Sequence, residues 1–112
     1  MEYRFMFLRT DKGVPVSCVA MKVSKSGEVT YGVSTQHPKD RFNRKVAREL
    51  ALGRMVSKPE VVKVNTISMH EISRTVVADL LKKEATPTRA YMAAKKWLKK
   101  ASIKEMEASI KK

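Results

Sequence analysis

Residues 14–34, VPVSCVAMKVSKSGEVTYGVS, decide the fold of this chain, because they contain two strand-like segments joined by a short turn. Apolar residues recur at every second position of each segment, as they do in a strand with a buried face. The first segment is apolar on both faces, one with Val19, Met21 and Val23 and the other with Val16, Cys18 and Ala20. The second segment alternates apolar with small or polar residues, at Val29, Tyr31 and Val33. The pattern predicts an antiparallel hairpin whose first strand lies in the centre of a sheet.

A further strand precedes this hairpin. Residues 2–10, EYRFMFLRT, place Tyr3, Phe5 and Phe7 on one face by the same two-residue period. The segment DKG that follows is a turn signal, in which Gly13 can adopt positive φ. We therefore expect a three-stranded antiparallel meander at the N-terminus.

The middle of the chain adds a strand and a helix. Residues 59–67, PEVVKVNTI, are rich in β-branched residues and predict a short fourth strand. Ser68 and Glu71 then have the spacing of a capping box, and residues 71–83, EISRTVVADLLKK, are apolar at helical spacing. The predicted fold class is α+β: a three- or four-stranded antiparallel sheet with this neutral helix packed on it, a basic helix after strand three, and a basic C-terminal helix.

The C-terminal part reads as a separate helical segment. Thr86 and Pro87 are favourable residues for the start of a helix, so we expect a core domain over residues 1–85. Residues 86–112 form a basic helical segment that either packs on this domain or extends from it. The apolar phase changes near Ser102, where Glu105 repeats the capping-box spacing, and this predicts a kink or a fresh helix.

Charge is the feature that bears most directly on function. The chain has 24 Lys and Arg residues against 11 Asp and Glu residues, a net charge of +13. The excess lies in two blocks, +5 over residues 37–63 and +6 over residues 86–112, on either side of a neutral segment. Two such blocks in one small domain repel each other, and a bound polyanion would relieve that repulsion.

Membrane insertion and secretion are not indicated. No stretch approaches the roughly 18 consecutive apolar residues of a membrane span, and the N-terminus lacks the pattern of a secretory signal. Cys18 is the single cysteine, so an intramolecular disulfide is impossible. We expect a cytoplasmic protein that requires no cofactor and does not bind membranes.

The first basic block predicts a helix with a cationic stripe. In residues 37–54, HPKDRFNRKVARELALGR, Pro38 and Asp40 suit a helix start and Gly53 a helix end. At about 100° per residue, one side of this helix carries Arg41, Arg44, Lys45 and Arg48. The other half carries the expected core contacts, Phe42, Val46, Ala47 and Leu50.

The stripe is either a solvated helix face or a surface that binds a polyanion. Two ion pairs one turn apart, Lys45–Glu49 and Asp40–Arg44, would offset little of its charge. Most of its members are arginines, which can bind phosphate bidentately and stack on bases. This composition favours binding to a polyanion.

The second basic block surrounds a tryptophan. Trp97 is bracketed by Lys95, Lys96, Lys99 and Lys100. It could stack on an unpaired base, or it could dock the helix on the domain while the lysines stay in solvent. Because Ala94 and Leu98 share its side, docking is the preferred interpretation.

Catalytic and metal-binding patterns are weak. His37 and His70 lack partners at metal-ligand spacing, and the four glycines form no phosphate-binding loop. A metal-dependent nuclease remains an alternative, because such enzymes place carboxylates near a lysine. Its candidate residues would be Lys58 with Asp40, Glu49 or Glu60.

Residues 31–54 resemble a pattern in small early proteins of tailed bacteriophages, in which a strand leads into an F-x-R-K-x-A-R-x-x-A-x-G-R helix. The positions that match are Phe42, Arg44, Lys45, Ala47, Arg48, Ala51, Gly53 and Arg54. The resemblance implies a non-enzymatic accessory protein that acts on host nucleic-acid machinery. It is similar in class to the phage factor that inhibits a ToxN-type endoribonuclease. We add Arg54 to the predicted contact residues.

The leading hypothesis is a non-enzymatic protein that binds the phosphate backbone of nucleic acid, with RNA favoured over DNA. Its predicted contacts are Arg41, Arg44, Lys45, Arg48 and Arg54 in the first block and Lys95, Lys96, Lys99 and Lys100 in the second. The alternative is an inhibitor that docks directly on an acidic host factor, such as a nuclease or toxin.

Overall fold

The computed structural model describes residues 3–10, 12–36, 41–65, 68–83 and 87–110, with side chains as far as Ala101. The elements in chain order are β1 (Tyr3–Arg9), β2 (Pro15–Val23), β3 (Glu28–Thr35), α1 (Arg44–Ser57), β4 (Glu60–Lys63), α2 (Met69–Leu81) and α3 (Thr88–Ile110). The predicted α+β class is confirmed, and the sheet has four strands.

The sheet is a meander in the order β1-β2-β3-β4, and each strand pairs antiparallel with the next. β1 and β4 are therefore the edge strands. The β1–β2 and β2–β3 turns contain Gly13 and Gly27, whose φ angles of 80° and 86° lie in the left-handed region that favours glycine. The turn predicted at Gly13 is confirmed.

Helices α2 and α3 cover one face of the sheet. Its apolar side chains, among them Val19, Met21, Val29 and Tyr31, form a core with residues of both helices. The neutral helix thus packs on the sheet as predicted. Val16 belongs to this core rather than to the face of Cys18 and Ala20, because the β1–β2 register shifts beside it and an irregularity of this kind turns a side chain to the other face.

Helix α1 covers the opposite face, which is lined by small residues. Cys18 and Ala20 are fully buried there, in a cluster with Ala51 and Met55 of the helix. A Cβ atom on Gly32 would lie 2.3 Å from the backbone N of Met55 and 2.5 Å from the carbonyl O of Ala51. The helix backbone therefore rests directly on β3.

Helix α3 is a single helix from Thr88 to Ile110, so no new helix begins at Ser102. A capping box acts only where the preceding residues leave the helix, and Lys100 and Ala101 are good helix formers that continue it. Among the residues that the structure describes, no helix is both long and apolar enough to cross a membrane.

Candidate nucleic-acid interface

The basic helix begins later and ends later than its sequence suggests. Asn43 is the N-cap of α1, and its side-chain oxygen accepts a hydrogen bond from the backbone N–H of Val46. Arg41 therefore precedes the helix, and the proposed start at Pro38 and Asp40 falls outside the described residues. Gly53 lies within the helix, which continues to Ser57, close to Pro59. The glycine that caps a helix end typically takes positive φ, and Gly53 does not.

The buried side of α1 is a narrow stripe of Ala51 and Met55, flanked by the half-buried Ala47 and Leu52. The expected core contacts Val46 and Leu50 are instead 48 % and 52 % exposed, so that prediction was wrong. The physical reason is the close approach at Gly32, which brings the backbone of Ala51 and Met55 against the sheet and turns the side of α1 that carries Val46 and Leu50 away from it.

This rotation moves the cationic stripe from the far side of the helix to its flank. At about 100° per residue, Arg44 and Arg48 lie about 20° and 60° from Ala51. The guanidinium carbon of Arg44 is 5.5 Å from the ring centroid of Phe7 on β1, within cation–π range. Phe7 also meets the ring of Phe42 edge to face, at 5.9 Å between centroids. The stripe therefore borders the β1 side of the sheet.

The charges of this flank stay accessible. All four side chains, Arg41, Arg44, Lys45 and Arg48, are exposed. Among the residues that the structure describes, the side chains of Arg41, Lys45 and Arg48 make no hydrogen bond or ion pair, and the expected Lys45–Glu49 pair is absent. The Asp40–Arg44 pair falls outside the described residues. We call this group of four the α1 cationic flank.

Behind the flank lies the buried thiol of Cys18. Burial raises its pKa to about 11, and the nearby charge of Arg48 opposes that shift. The thiol is therefore protonated and enclosed at neutral pH, which fits the packing role that the sequence indicated.

Arg54 lies on the other flank of α1. Its guanidinium donates a hydrogen bond of 2.7 Å to the carbonyl oxygen of Val33 on β3. The β3–β4 ladder ends at Tyr31 and Glu60, so β4 offers this carbonyl no partner. Arg54 satisfies a backbone acceptor there, and it is separated from the α1 cationic flank with which the sequence grouped it.

The four lysines of α3 lie on two sides of the helix. Lys96 is half-buried, and its ammonium donates a hydrogen bond of 3.0 Å to the carbonyl of Thr10 at the end of β1. Lys96 and Lys100 line a cavity that they share with Phe7 and Arg9. Lys95 and Lys99 are exposed but do not line this cavity, because they project from another side of the helix.

Trp97 lies half-buried between Lys96 and Leu98. It packs on the core that α2 and α3 form with the sheet, and part of it lines the cavity beside Phe7. The contacts with the core agree with the docking interpretation of this residue. They also fix α3 so that Lys100 lies on the β1 side of the molecule.

A surface that the sequence-based list of contact residues did not include is the aromatic row, which we define as Tyr3, Phe5 and Phe7. These residues of β1 share the sheet face that α1 covers, and Tyr3 and Phe5 are exposed. Their alternation was visible in the sequence, but only the structure places α1 to one side of them. The available signal was an aromatic strand in a chain with a large positive charge.

Of the carboxylates proposed for the alternative nuclease site, Glu60 forms an ion pair and Asp40 lies outside the described residues. The carboxylate of Glu60 pairs with the ammonium of Lys83 at 2.9 Å, and Glu49 lies on α1. The hydrogen bond with Glu60 and the charge of Asp79 raise the pKa of Lys83. Within the described ranges, no group of three or more His, Cys, Asp or Glu side chains could hold a metal ion.

Comparisons with known proteins find no relative. No protein-family model matches the chain, and no curated protein or solved structure is significantly similar to it.

Proposed function

We propose that this protein binds nucleic acid without enzymatic activity, through the phosphate backbone, with RNA as the favoured ligand. The observation that carries the proposal is the α1 cationic flank, whose side chains are exposed and lack carboxylate partners among the described residues. Lys100 and Arg9 extend the positive surface around the end of β1. Arg54 and Lys96 support the fold, since each donates to a backbone carbonyl.

The test is the affinity for a labelled RNA hairpin, measured by fluorescence anisotropy over a range of salt concentrations. Affinity should fall steeply with salt, with a slope of roughly −0.7 to −0.9 per phosphate contact on a double-logarithmic plot. In the double variant Arg44→Glu and Arg48→Glu, we expect binding to be lost at physiological salt. This variant should retain the wild-type circular dichroism spectrum, because both side chains are exposed.

A matched control separates a defined surface from net charge alone. The double variant Lys58→Glu and Lys82→Glu changes the charge equally, at two exposed positions that lie outside the α1 cationic flank. We expect it to weaken binding only slightly. Equal losses in the two double variants would contradict the proposal, and so would an affinity that is independent of salt.

The resemblance to phage early proteins extends the proposal to a biological role. The protein would act in the cytoplasm of a bacterial host and antagonise a defence or toxin ribonuclease through bound RNA. Co-expression with a ToxN-type endoribonuclease tests this role, since the wild type should restore growth and the Arg44→Glu/Arg48→Glu variant should not. If both proteins restored growth equally, the inhibition would not depend on RNA binding, and this role would be contradicted.

A second candidate is direct docking on an acidic host protein. It is favoured by the apolar outer side of α1, where Val46, Leu50 and Val56 are exposed beside the cations. Purification after nuclease treatment distinguishes the candidates. A partner that remains bound without nucleic acid, and is released by Leu50→Ser, supports direct docking.

A further inference from the structure

The aromatic row has the geometry of a stacking platform. Tyr3, Phe5 and Phe7 occupy alternate positions of β1, so their rings project from one face at intervals of about 7 Å. β1 is an edge strand, and among the strands that the structure describes it pairs with β2 alone. The row therefore runs along an edge of the sheet. It lies on the same face as α1, which covers the neighbouring strands β2 and β3.

Two of the three rings have small neighbours on β2, whereas Tyr3 lies opposite Lys22. Phe5 lies opposite Ala20 and Phe7 opposite Cys18. Tyr3 is 46 % exposed and Phe5 is 38 % exposed, while Phe7 is half-buried under Phe42 and Arg44. Exposed aromatic rings on an edge strand are an aggregation hazard in a protein that has no use for them.

Cations stand at both ends of the row. The ammonium of Lys22 lies 6.0 Å from the ring centroid of Tyr3, and the guanidinium of Arg44 lies 5.5 Å from that of Phe7. A protein partner that covered these rings would also have to bury the two cations, which is costly unless each is paired. A ligand with phosphates at regular intervals and flat apolar groups between them can stack on the rings and pair with the cations at the same time.

Duplexes do not present such groups. Their bases are already stacked on one another, and a ring on a protein surface can reach only a base that is unpaired. RNA offers unpaired bases in loops, bulges and ends, and protein sheets with two or three exposed aromatic residues stack such bases. The row and the α1 cationic flank lie side by side, so one strand can contact both.

We propose that the aromatic row binds single-stranded RNA by stacking unpaired bases on Tyr3 and Phe5, while the α1 cationic flank holds the adjacent phosphates. The inference rests on the proposed function and makes it more specific. It specifies a single-stranded ligand. It also gives the aromatic residues of β1 a role in binding, which phosphate contacts by cations alone would not require.

The experiment compares single-stranded and duplex RNA of equal length by fluorescence anisotropy, with single-stranded DNA of the same sequence as a third ligand. The test variants are Tyr3→Leu, Phe5→Leu and the double substitution, because leucine keeps an apolar side chain and removes the ring. We expect each substitution to weaken single-strand binding roughly tenfold and to leave duplex binding unchanged. The wild type should prefer single-stranded RNA to both other ligands.

The matched control is Tyr91→Leu, since Tyr91 on α3 is 39 % exposed and lies outside the row. It should bind all three ligands as the wild type does. Unchanged single-strand affinity in the Tyr3→Leu/Phe5→Leu variant would overturn the inference. Equal or tighter binding of single-stranded DNA would overturn its assignment to RNA.

These outcomes separate the inference from the proposed function. If Arg44→Glu/Arg48→Glu abolishes binding and the leucine variants do not, the cationic flank stands and the aromatic row does not. If the wild type sediments as a dimer that Phe5→Leu dissociates, the row is an interface between two copies, and the inference is overturned.

Discussion

Single residues set how closely the layers of this protein can approach each other. At Gly32, the absent side chain lets the backbone of α1 rest on β3. At Gly53 the opposite holds, because a Cβ atom there would meet nothing within 4 Å. Sequence reasoning gave Gly53 a role in ending a helix and gave Gly32 none, although Gly32 is the glycine that the packing requires.

The two glycines make a matched pair of substitutions. Gly32→Ala should lower the free energy of unfolding by about 3 kcal/mol or more, because the methyl group collides with backbone atoms that cannot move alone. Gly53→Ala should raise the free energy of unfolding by about 0.5–1 kcal/mol, because alanine is the better residue inside a helix. Urea denaturation monitored by circular dichroism measures both. A tolerated Gly32→Ala would show that α1 does not lie against β3 as described.

The buried thiol of Cys18 predicts a loss of stability at alkaline pH. Its pKa is raised from 9.0 to about 11 by burial, so between these values the unfolded chain gives up a proton that the folded chain keeps. The free energy of unfolding should therefore be constant with respect to this group below about pH 9 and fall between about pH 9 and 11. Burial, together with the hydrogen bond to Asp79, also raises the pKa of Tyr31 and acts in the same direction.

Cys18→Ala isolates the contribution of the thiol. The variant should be less stable at pH 8, but its free energy of unfolding should fall less between about pH 9 and 11, by on the order of 2 kcal/mol. Urea denaturation over this pH range measures the difference. Parallel pH dependences in the wild type and the variant would contradict the assignment.

At the scale of elements, the position of each helix on the sheet decides which charges lie together. The neutral helix that the sequence predicted on the sheet is confirmed, and a helix, α1, follows the third strand. The rotation of α1 was predicted wrongly, because the largest apolar side chains were assigned to the core. The face of Cys18, Ala20 and Gly32 lets the helix backbone approach closely, and the side of α1 with Ala51 and Met55 packs there.

The placement of α3 makes a prediction for two neighbouring lysines. Lys100 lines the cavity beside Phe7, whereas Lys99 projects from another side of the helix. We expect Lys100→Glu to lower the affinity for RNA roughly three- to tenfold more than Lys99→Glu does. Both residues are exposed and carry the same charge, so the effect of net charge cancels in the comparison. Equal losses would place the bound strand away from the end of β1.

At the scale of the whole molecule, a net charge of +13 in 112 residues opposes compaction. The two basic blocks, distant in the sequence, border one region of the structure, where α1 and α3 both approach Phe7. A bound polyanion would offset the repulsion between them. The free protein depends instead on the small ions of the solution to screen it.

Salt should therefore stabilise the free protein. Raising the ionic strength from about 0.01 M to about 0.15 M shortens the Debye length from about 30 Å to about 8 Å and screens the repulsion between the basic blocks. We expect the melting temperature, measured by differential scanning fluorimetry without nucleic acid, to rise by a few degrees. The Arg44→Glu/Arg48→Glu variant, with fewer like charges, should gain less. A melting temperature that falls with salt would indicate that attractive ion pairs dominate.

The sequence by itself determined the meander, the order of its elements and the excess of positive charge, because alternation, turn residues and charge are local properties of the chain. Only the tertiary structure decided which side of α1 faces the sheet, that Arg54 and Lys96 donate to backbone carbonyls, and that Phe7 of β1 lies beside Arg44 of α1. The physical reason is that helix rotation depends on the side-chain volumes of two surfaces at once. One of these surfaces, the small-residue face of β2 and β3, exists only after the strands have paired.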